Sequence, residues 1–340
     1  MPAITMTTTT TRPIARRVTI AVPHRISGFF EIVDHKLPEQ YTMTDLLSIG
    51  SRGGGPCLSE KVVTTMEIDK KKPGTISILI NGLDYSAKAK TTLSVLKWMG
   101  LDAVREHAIT IKHEMPLLMG AGFGSSGAGA LGTAIAANVM FDLGLSLDEC
   151  GKHAHCAEVE NKTGLGTVGG QVRGGCTISM APGFPFTMAS ILIPPELKIA
   201  CATRGGLSTS QMLSDPPIRK RIIESGKKAM VSISAHFSME RFLQTAITFV
   251  NGTWLQFVEQ LDLGGVKNLM CKINDDASKP TTVLGASMNQ MGKSVYVIYK
   301  SSVEAEDYIE KAFVDCGFED MKAMEFDCGG PSVNRIELLG

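Results

Sequence analysis

One stretch restricts this chain more than any other: MGAGFGSSGAGALG, residues 119–132, with the strand-like AITIKHEMP (108–116) before it and the apolar run TAIAANVMFDLG after it. A strand, a glycine- and serine-rich loop and a helix N-terminus in that order leave main-chain amides without intrahelical partners at the positive end of a helix dipole. That is a setting for a polyphosphate. Glycine lets phosphate approach the backbone, and a serine hydroxyl is able to ligate Mg²⁺. Gly129 and Gly132 fall inside the helix and are read as allowing close packing on a neighbouring element.

Gly122-Phe-Gly124-Ser-Ser-Gly127 also satisfies G-x-G-x-x-G, so a dinucleotide-binding fold has to be weighed. That fold wants the fingerprint at its first βα turn and an acid at the end of a second strand about 20 residues on. Asp142 has the spacing but ends the long helix, and the loop arrives only after some 120 residues. A Walker A loop fails as well, because no Gly-Lys-Ser/Thr closes the run.

Composition narrows the partners. The 340 residues carry no net charge, with 44% hydrophobic and 20% charged residues, so there is core enough for two lobes and no basic field to draw nucleic acid or an anionic membrane. Any anion has to be caught locally. The eight cysteines form no C-x-x-C, which argues against zinc, iron–sulfur and disulfide frameworks and for free thiols in the cytoplasm. His153-Ala-His155-Cys156 is read as packing, since residues two apart on a helix diverge. No apolar run is long enough to span a bilayer. The threonine-rich 1–15 segment has no apolar signal core and reads as a disordered leader.

Along the chain, RRVTIAVP (16–23) reads as a strand stopped by Pro23, followed by a polar turn, HRISGFFEIVDH. KVVTTMEI (61–68) and TISILING (75–82) read as a hairpin across KKKPG. Residues 86–101 and 127–143 read as helices, and Ser146-Leu-Asp-Glu149 is a capping box opening a helix to about Asn161. A glycine-rich segment, 163–180, ends in a strand. Helices follow at 216–237 and 239–260, then a strand, SVYVIYK (294–300), and a second capping box, Ser301–Glu304, opening a helix over 303–316. The order is an α+β mixture, with an N-terminal lobe over 16–190 and a C-terminal lobe over 191–340.

Pro116 followed by GAGFGSSGAGA resembles the second motif of the GHMP kinases, P-x-x-x-G-L-G-S-S-A, with two extra residues after the proline. VPHRISGFFEIVD (22–34), GSRGGGPCLS (50–59), AHCAEVENKTGLGTVGGQ (154–171), GLSTSQMLSDPPIRKRI (206–222) and GASMNQMGKSVYVI (285–298) resemble the archaeal pantoate kinase branch, in family order from about 16 to 316. The resemblance implies an N-terminal lobe like ribosomal protein S5 domain 2 and a ferredoxin-like C-terminal lobe. It also implies ATP and Mg²⁺ as cofactors, pantoate as the acceptor and a homodimer.

Carried onto this chain, it places the phosphates on Gly120, Gly122, Gly124, Ser125, Ser126 and Gly127, and Mg²⁺ on Ser126 and Glu158. The acceptor pocket falls on His24, Arg25, Ser27, Gly28 and Phe29, with Arg25, Arg52, Arg173 and Arg204 as candidates for a carboxylate. Two departures stand out. Arg25 replaces a usual histidine, and Thr167 replaces the aspartate expected as catalytic acid–base in T-G-L-G-D-V. Either positioning and charge neutralisation suffice for phosphoryl transfer, or Asp34 or Glu31 substitutes as base, or the chain is slow, inactive or adapted to another alcohol such as homoserine or a mevalonate-like acid. An inactive nucleotide-binding regulator is the rival from another class. The methionines of GASMNQMG are read as packing.

Overall fold

The computed structural model describes residues 14–69, 73–101 and 106–339. Most of the expected leader, 1–13, lies outside the described residues. Ala15, assigned to that leader, instead opens a strand, β1 (Ala15–Arg25).

The N-terminal sheet is organised by one long strand, β3 (Gly50–Asp69), which changes neighbours halfway along. Its first half pairs with β2 (Phe29–Val33) and β7 (Cys176–Ser179); its second half lies antiparallel to β1 and β6 (Ala108–Glu114). Outside β6 come β4 (Ile76–Ile80), which runs parallel to it, and β5 (Leu83–Asp84). β8 (Met188–Ile191) pairs with β7. The expected hairpin of 61–68 with 75–82 is therefore not formed, because β6 lies between them; hydrophobic alternation marks both strands and says nothing of who pairs with whom. β1 does not stop at Pro23 either. Proline only withholds a donor there, and the register shift between Pro23 and Arg25 absorbs it.

Against this sheet lies α3 (Ser125–Met140), almost wholly buried, because its glycines and alanines allow close approach. A Cβ at Gly132 would sit 2.4 Å from Thr64 Oγ1, so the packing role expected for that glycine is met. α2 (Lys90–Trp98) and α4 (Leu147–Asn161) pack beside α3, and α4 carries the expected capping box of Ser146 with Glu149. α1 (Met43–Leu47) packs on α4, and α5 (Thr167–Arg173) interrupts the glycine-rich segment that had been read without a helix.

The C-terminal lobe is a four-stranded antiparallel sheet. Its strands are β9 (Leu197–Gly206), β10 (Val283–Asn289), β11 (Gly292–Lys300) and β12 (Lys322–Met324), in the order β10-β11-β9-β12. α6 (Thr209–Ser214), α7 (Pro216–Ala235), α8 (Met239–Gly252), α9 (Val258–Leu261), α10 (Gly264–Asp275) and α11 (Val303–Asp315) accompany it. The cap of α11 is Ser302, whose side chain accepts from Ala305, one residue later than the box read from the sequence. The chain end does not stay with the second sheet: β13 (Ser332–Leu338) returns to pair with β1. Two sheets with their helices make the α+β mixture expected. Among the described residues no helix is long and apolar enough to cross a membrane.

Candidate active site at the glycine loop

A cleft of about 590 Å³ opens at the N-terminus of α3, walled by the N-terminal lobe and, on the other side, by Leu207–Ser210 and Gln290–Met291. Its floor is the glycine loop. Gly120, Gly122 and Gly124 all have positive φ (81°, 89° and 66°), and Gly124 caps α3 with no side-chain acceptor on the first amides. Alternation of left-handed glycines with ordinary residues turns successive N–H groups inward, making an anion-binding concavity that runs into the helix dipole.

The loop is clamped from behind by the C-terminal lobe. A Cβ at Gly122 would lie 2.3 Å from the carbonyl oxygen of Gln290, in the β10–β11 turn, and Ser294 Oγ donates to Ala121 O at 2.8 Å. Gln171 on α5 donates through Nε2 to Gly124 O and to Pro23 O, both at 3.0 Å, tying the loop to β1. His24 does the same through Nδ1, which lies 3.1 Å from Phe123 O. Asn289 Oδ1 accepts from Ser27 N at 3.2 Å, while Gln290 Nε2 donates to Gly28 O at 2.8 Å and its Oε1 accepts from Trp254. Burial pushes the His24 imidazole down to about 4, so it is neutral at pH 7.

Beside the loop stands one buried carboxylate. Glu158 Oε1 accepts from Ser126 Oγ at 2.6 Å and from Thr163 Oγ1 at 2.6 Å. Burial raises its pKa, and the two hydroxyl bonds only partly oppose that. Among the described residues no lysine, arginine or histidine pairs with it, and it is the one carboxylate among the residues lining the cleft. The hydroxyl and the carboxylate converging beside the loop are hard oxygen donors of the kind a divalent cation such as Mg²⁺ takes.

Residues 88–174, which hold this loop and Glu158, match the family model described as the GHMP kinases N terminal domain. A pantoate kinase of Thermococcus kodakarensis is 32% identical over 241 residues, 69% of this chain and 75% of that protein. The chain belongs to the pantoate kinase family of the GHMP kinases. Among solved structures, this GHMP kinase is similar to a phosphotransferase related to the CoA biosynthesis pathway. The two share 25% identity with a TM-score of 0.76, over 94% of this chain and 99% of that one. A structure described as MDDEF in complex with MVAPP, AMPPCP and magnesium shares the fold, with a TM-score of 0.68 at 13% identity over 94% of this chain and 98% of that one.

The residues singled out in the sequence divide. Gly120, Gly122, Gly124, Ser125, Ser126, Gly127, Glu158, Thr167, Arg25, Ser27 and Phe29 all line the cleft. Thr167 opens α5, and its methyl lies 2.6 Å from where a Cβ at Gly124 would stand, so it braces the loop. The remaining candidates are not brought to the cleft. His24 supports the loop from behind, and Gly28 packs under the Phe242 ring. Arg52 is paired with Glu31 (Nε to Oε2, 2.8 Å), Arg173 is paired with Asp148 on the surface at 2.7 and 2.8 Å, and Arg204 is exposed beside Gly265 and Gly317. Glu31 and Asp34, the substitute bases, are held by Arg52 and Arg219 and do not line the cleft. His155, from the rejected metal motif, is buried with Nε2 2.9 Å from Ile49 O.

Sequence reasoning missed Thr163, Gln171, Asn289 and Gln290. Their signal was position alone: Thr163 is the first residue of the T-G-L-G-T turn, Gln171 follows its end by four residues, and Asn289 and Gln290 stand between Met288 and Met291.

Proposed function

We propose that this GHMP kinase transfers the γ-phosphoryl group of ATP to the 4-hydroxyl of pantoate, giving 4-phosphopantoate for coenzyme A synthesis. The observation that carries it is the Ser126–Glu158 contact of 2.6 Å at the mouth of the glycine loop. The identity to a pantoate kinase names the acceptor.

Burial raises the pKa of Glu158, no cation pairs with it among the described residues, and a divalent ion held by Glu158 and Ser126 would favour its ionised form. Ser126 and Glu158 would hold Mg²⁺ there, which would supply charge neutralisation to phosphoryl transfer. The fold shared with a structure holding AMPPCP and magnesium is in keeping with this. The loop amides between Gly120 and Gly127 hold the phosphates in line. Thr163 fixes the Glu158 carboxylate, and Gln171 and His24 hold the carbonyls of the loop so that its amides face inward.

No cleft carboxylate besides Glu158 is present among the described residues, so the acceptor proton leaves without a carboxylate base. A loose phosphoryl-transfer transition state asks little of such a base until the new bond is nearly made. Of the explanations for Thr167, positioning with charge neutralisation is the one the cleft supports. A cytoplasmic homodimer is the form proposed, resting on the sequence resemblance.

The test is ADP release with Mg²⁺–ATP and, in parallel, pantoate, homoserine and mevalonate. Turnover with pantoate far above the other two is expected. Preference for another alcohol would replace the acceptor, and no turnover with any would favour the regulatory homologue.

A further inference from the structure

Lys88, Lys90 and Lys162 line the cleft, but its one buried cation among the described residues is Arg25. Arg25 is buried, 2% exposed, and lines the cleft together with Ser27, Ser51 and Gly54. Its guanidinium donates from Nη1 to Thr177 Oγ1 at 2.8 Å and from Nη2 to Thr177 O at 2.7 Å. Those oxygens are neutral. Among the described residues no aspartate or glutamate comes within ion-pair distance, although Arg17, Arg52, Arg173, Arg219 and Arg335 each have one.

The nearby thiols do not supply the missing charge. Cys57 and Cys176 both feel the Arg25 cation, yet burial holds their pKa values up at about 11 and about 12, so both are uncharged at neutral pH. Arginine does not shed its proton in a protein, and a buried, unpaired cation is costly. The fold nevertheless keeps a slot for it. A Cβ at Gly170 would fall 1.5 Å from Nη1, and one at Gly54 would fall 2.7 Å from Nη2, so two glycines on different elements leave the space that the guanidinium fills.

We propose that Arg25 is the specificity-determining residue of the acceptor site: its guanidinium takes the carboxylate of a hydroxy acid, which becomes its counter-ion and turns the hydroxyl end of the acceptor toward the glycine loop. Two of its five N–H groups serve Thr177 and the guanidinium also bonds the Cys57 sulfur, which fixes the plane of the fork and leaves donors for an acceptor oxygen pair. The other three arginines considered from the sequence are paired elsewhere or exposed outside the cleft. The cleft thus has a buried guanidinium for the acid and a buried carboxylate for the metal, neither paired with an opposite charge among the described residues. This inference rests on the kinase reading above but not on pantoate being the acid.

The experiment compares KM for the acceptor acid with KM for its own primary carboxamide, in the unsubstituted enzyme, Arg25→Gln and Arg25→Lys, with KM for ATP measured alongside. The unsubstituted enzyme should prefer the acid by at least about 10-fold. Arg25→Gln should abolish that preference with KM for ATP unchanged, and Arg25→Lys should recover part of it. Equal use of acid and amide by the unsubstituted enzyme overturns the proposal, even if Arg25→Gln does not fold. So does an acid preference that survives in a folded Arg25→Gln. If the acid consumed proves not to be pantoate, the acceptor assignment falls while the same comparison still decides Arg25. A lack of turnover with every acid and amide tried would remove both.

Discussion

Ser126 Oγ donates to Glu158 Oε1 at 2.6 Å, joining the first turn of α3 to the last turn of α4 across 32 residues of sequence. The contact sets that hydroxyl and the buried carboxylate side by side at the glycine loop. Ser126→Ala and Glu158→Gln should each lower kcat by about 10²-fold or more, since each removes an interaction aimed at transition-state charge. Glu158→Gln should leave the melting temperature unchanged or raised, because it removes a carboxylate whose charge is penalised by burial. Near-normal turnover in either variant, measured as ADP release, contradicts these roles.

Gly122 and Gly120 share a left-handed backbone but not a neighbourhood. An alanine at Gly120 meets nothing within 4 Å, so Gly120→Ala carries only backbone strain of roughly 1–2 kcal/mol. At Gly122 the new methyl would be 2.3 Å from Gln290 O and would force the β10–β11 turn off the loop. Gly122→Ala should therefore cost more than about 2 kcal/mol in urea unfolding and raise KM for ATP well beyond the effect of Gly120→Ala. Equal effects at the two sites would mean that the clamp from the second lobe does not shape the loop.

Thr167 and Gly170 stand one turn apart on the same face of α5, and the Arg25 guanidinium packs on Gly170. A carboxylate placed at 167 would pair with that guanidinium before it served as a base. Thr167→Asp is expected to raise the acceptor KM by about 10-fold without increasing kcat, the loss of one charge-assisted hydrogen-bond partner. A rise in kcat would show instead that acceptor deprotonation limits the rate.

The parts of this molecule written in short-range chemistry were legible in the sequence. The glycine loop announced its strand-loop-helix context, and Ser146 with Glu149 marked the start of α4 to the residue. Long-range relations were not legible. Nothing in the alternation of 61–68 and 75–82 shows that β6 inserts between them, nor that β13 comes back to β1. Arg25, Arg52 and Arg173 looked alike as motif arginines. What separates them is whether a carboxylate lies opposite, as Glu31 does for Arg52 and Asp148 for Arg173, and that is decided by tertiary packing. His24 sits beside Arg25 in sequence but across the strand from it, so the pleat sends it behind the loop and away from the acceptor.

Acid should destabilise the fold in a defined window. Burial lowers His24, His113 and His155 from 6.5 to about 4, so each imidazole is neutral in the fold where the unfolded chain would be protonated. The unfolded state binds the extra protons, so stability is complete above about pH 6.5 and is lost as pH falls toward 4. Each histidine contributes up to about 1.4 kcal/mol per pH unit in that interval. Urea midpoints should be flat from pH 7 to 8 and fall steeply between 6 and 4.5. A midpoint independent of pH over that range contradicts the assignment of these residues as buried neutral groups.

The central claim is that main-chain amides from Gly120 to Gly127 hold the triphosphate with a metal between Ser126 and Glu158. A crystal structure with Mg²⁺ and a non-hydrolysable ATP analogue tests it most directly. Phosphate oxygens are expected within hydrogen-bond distance of the amides of Gly124–Gly127, with Mg²⁺ in contact with both Ser126 Oγ and the Glu158 carboxylate. Nucleotide bound elsewhere, with the loop vacant and the Ser126–Glu158 hydrogen bond intact, would contradict it.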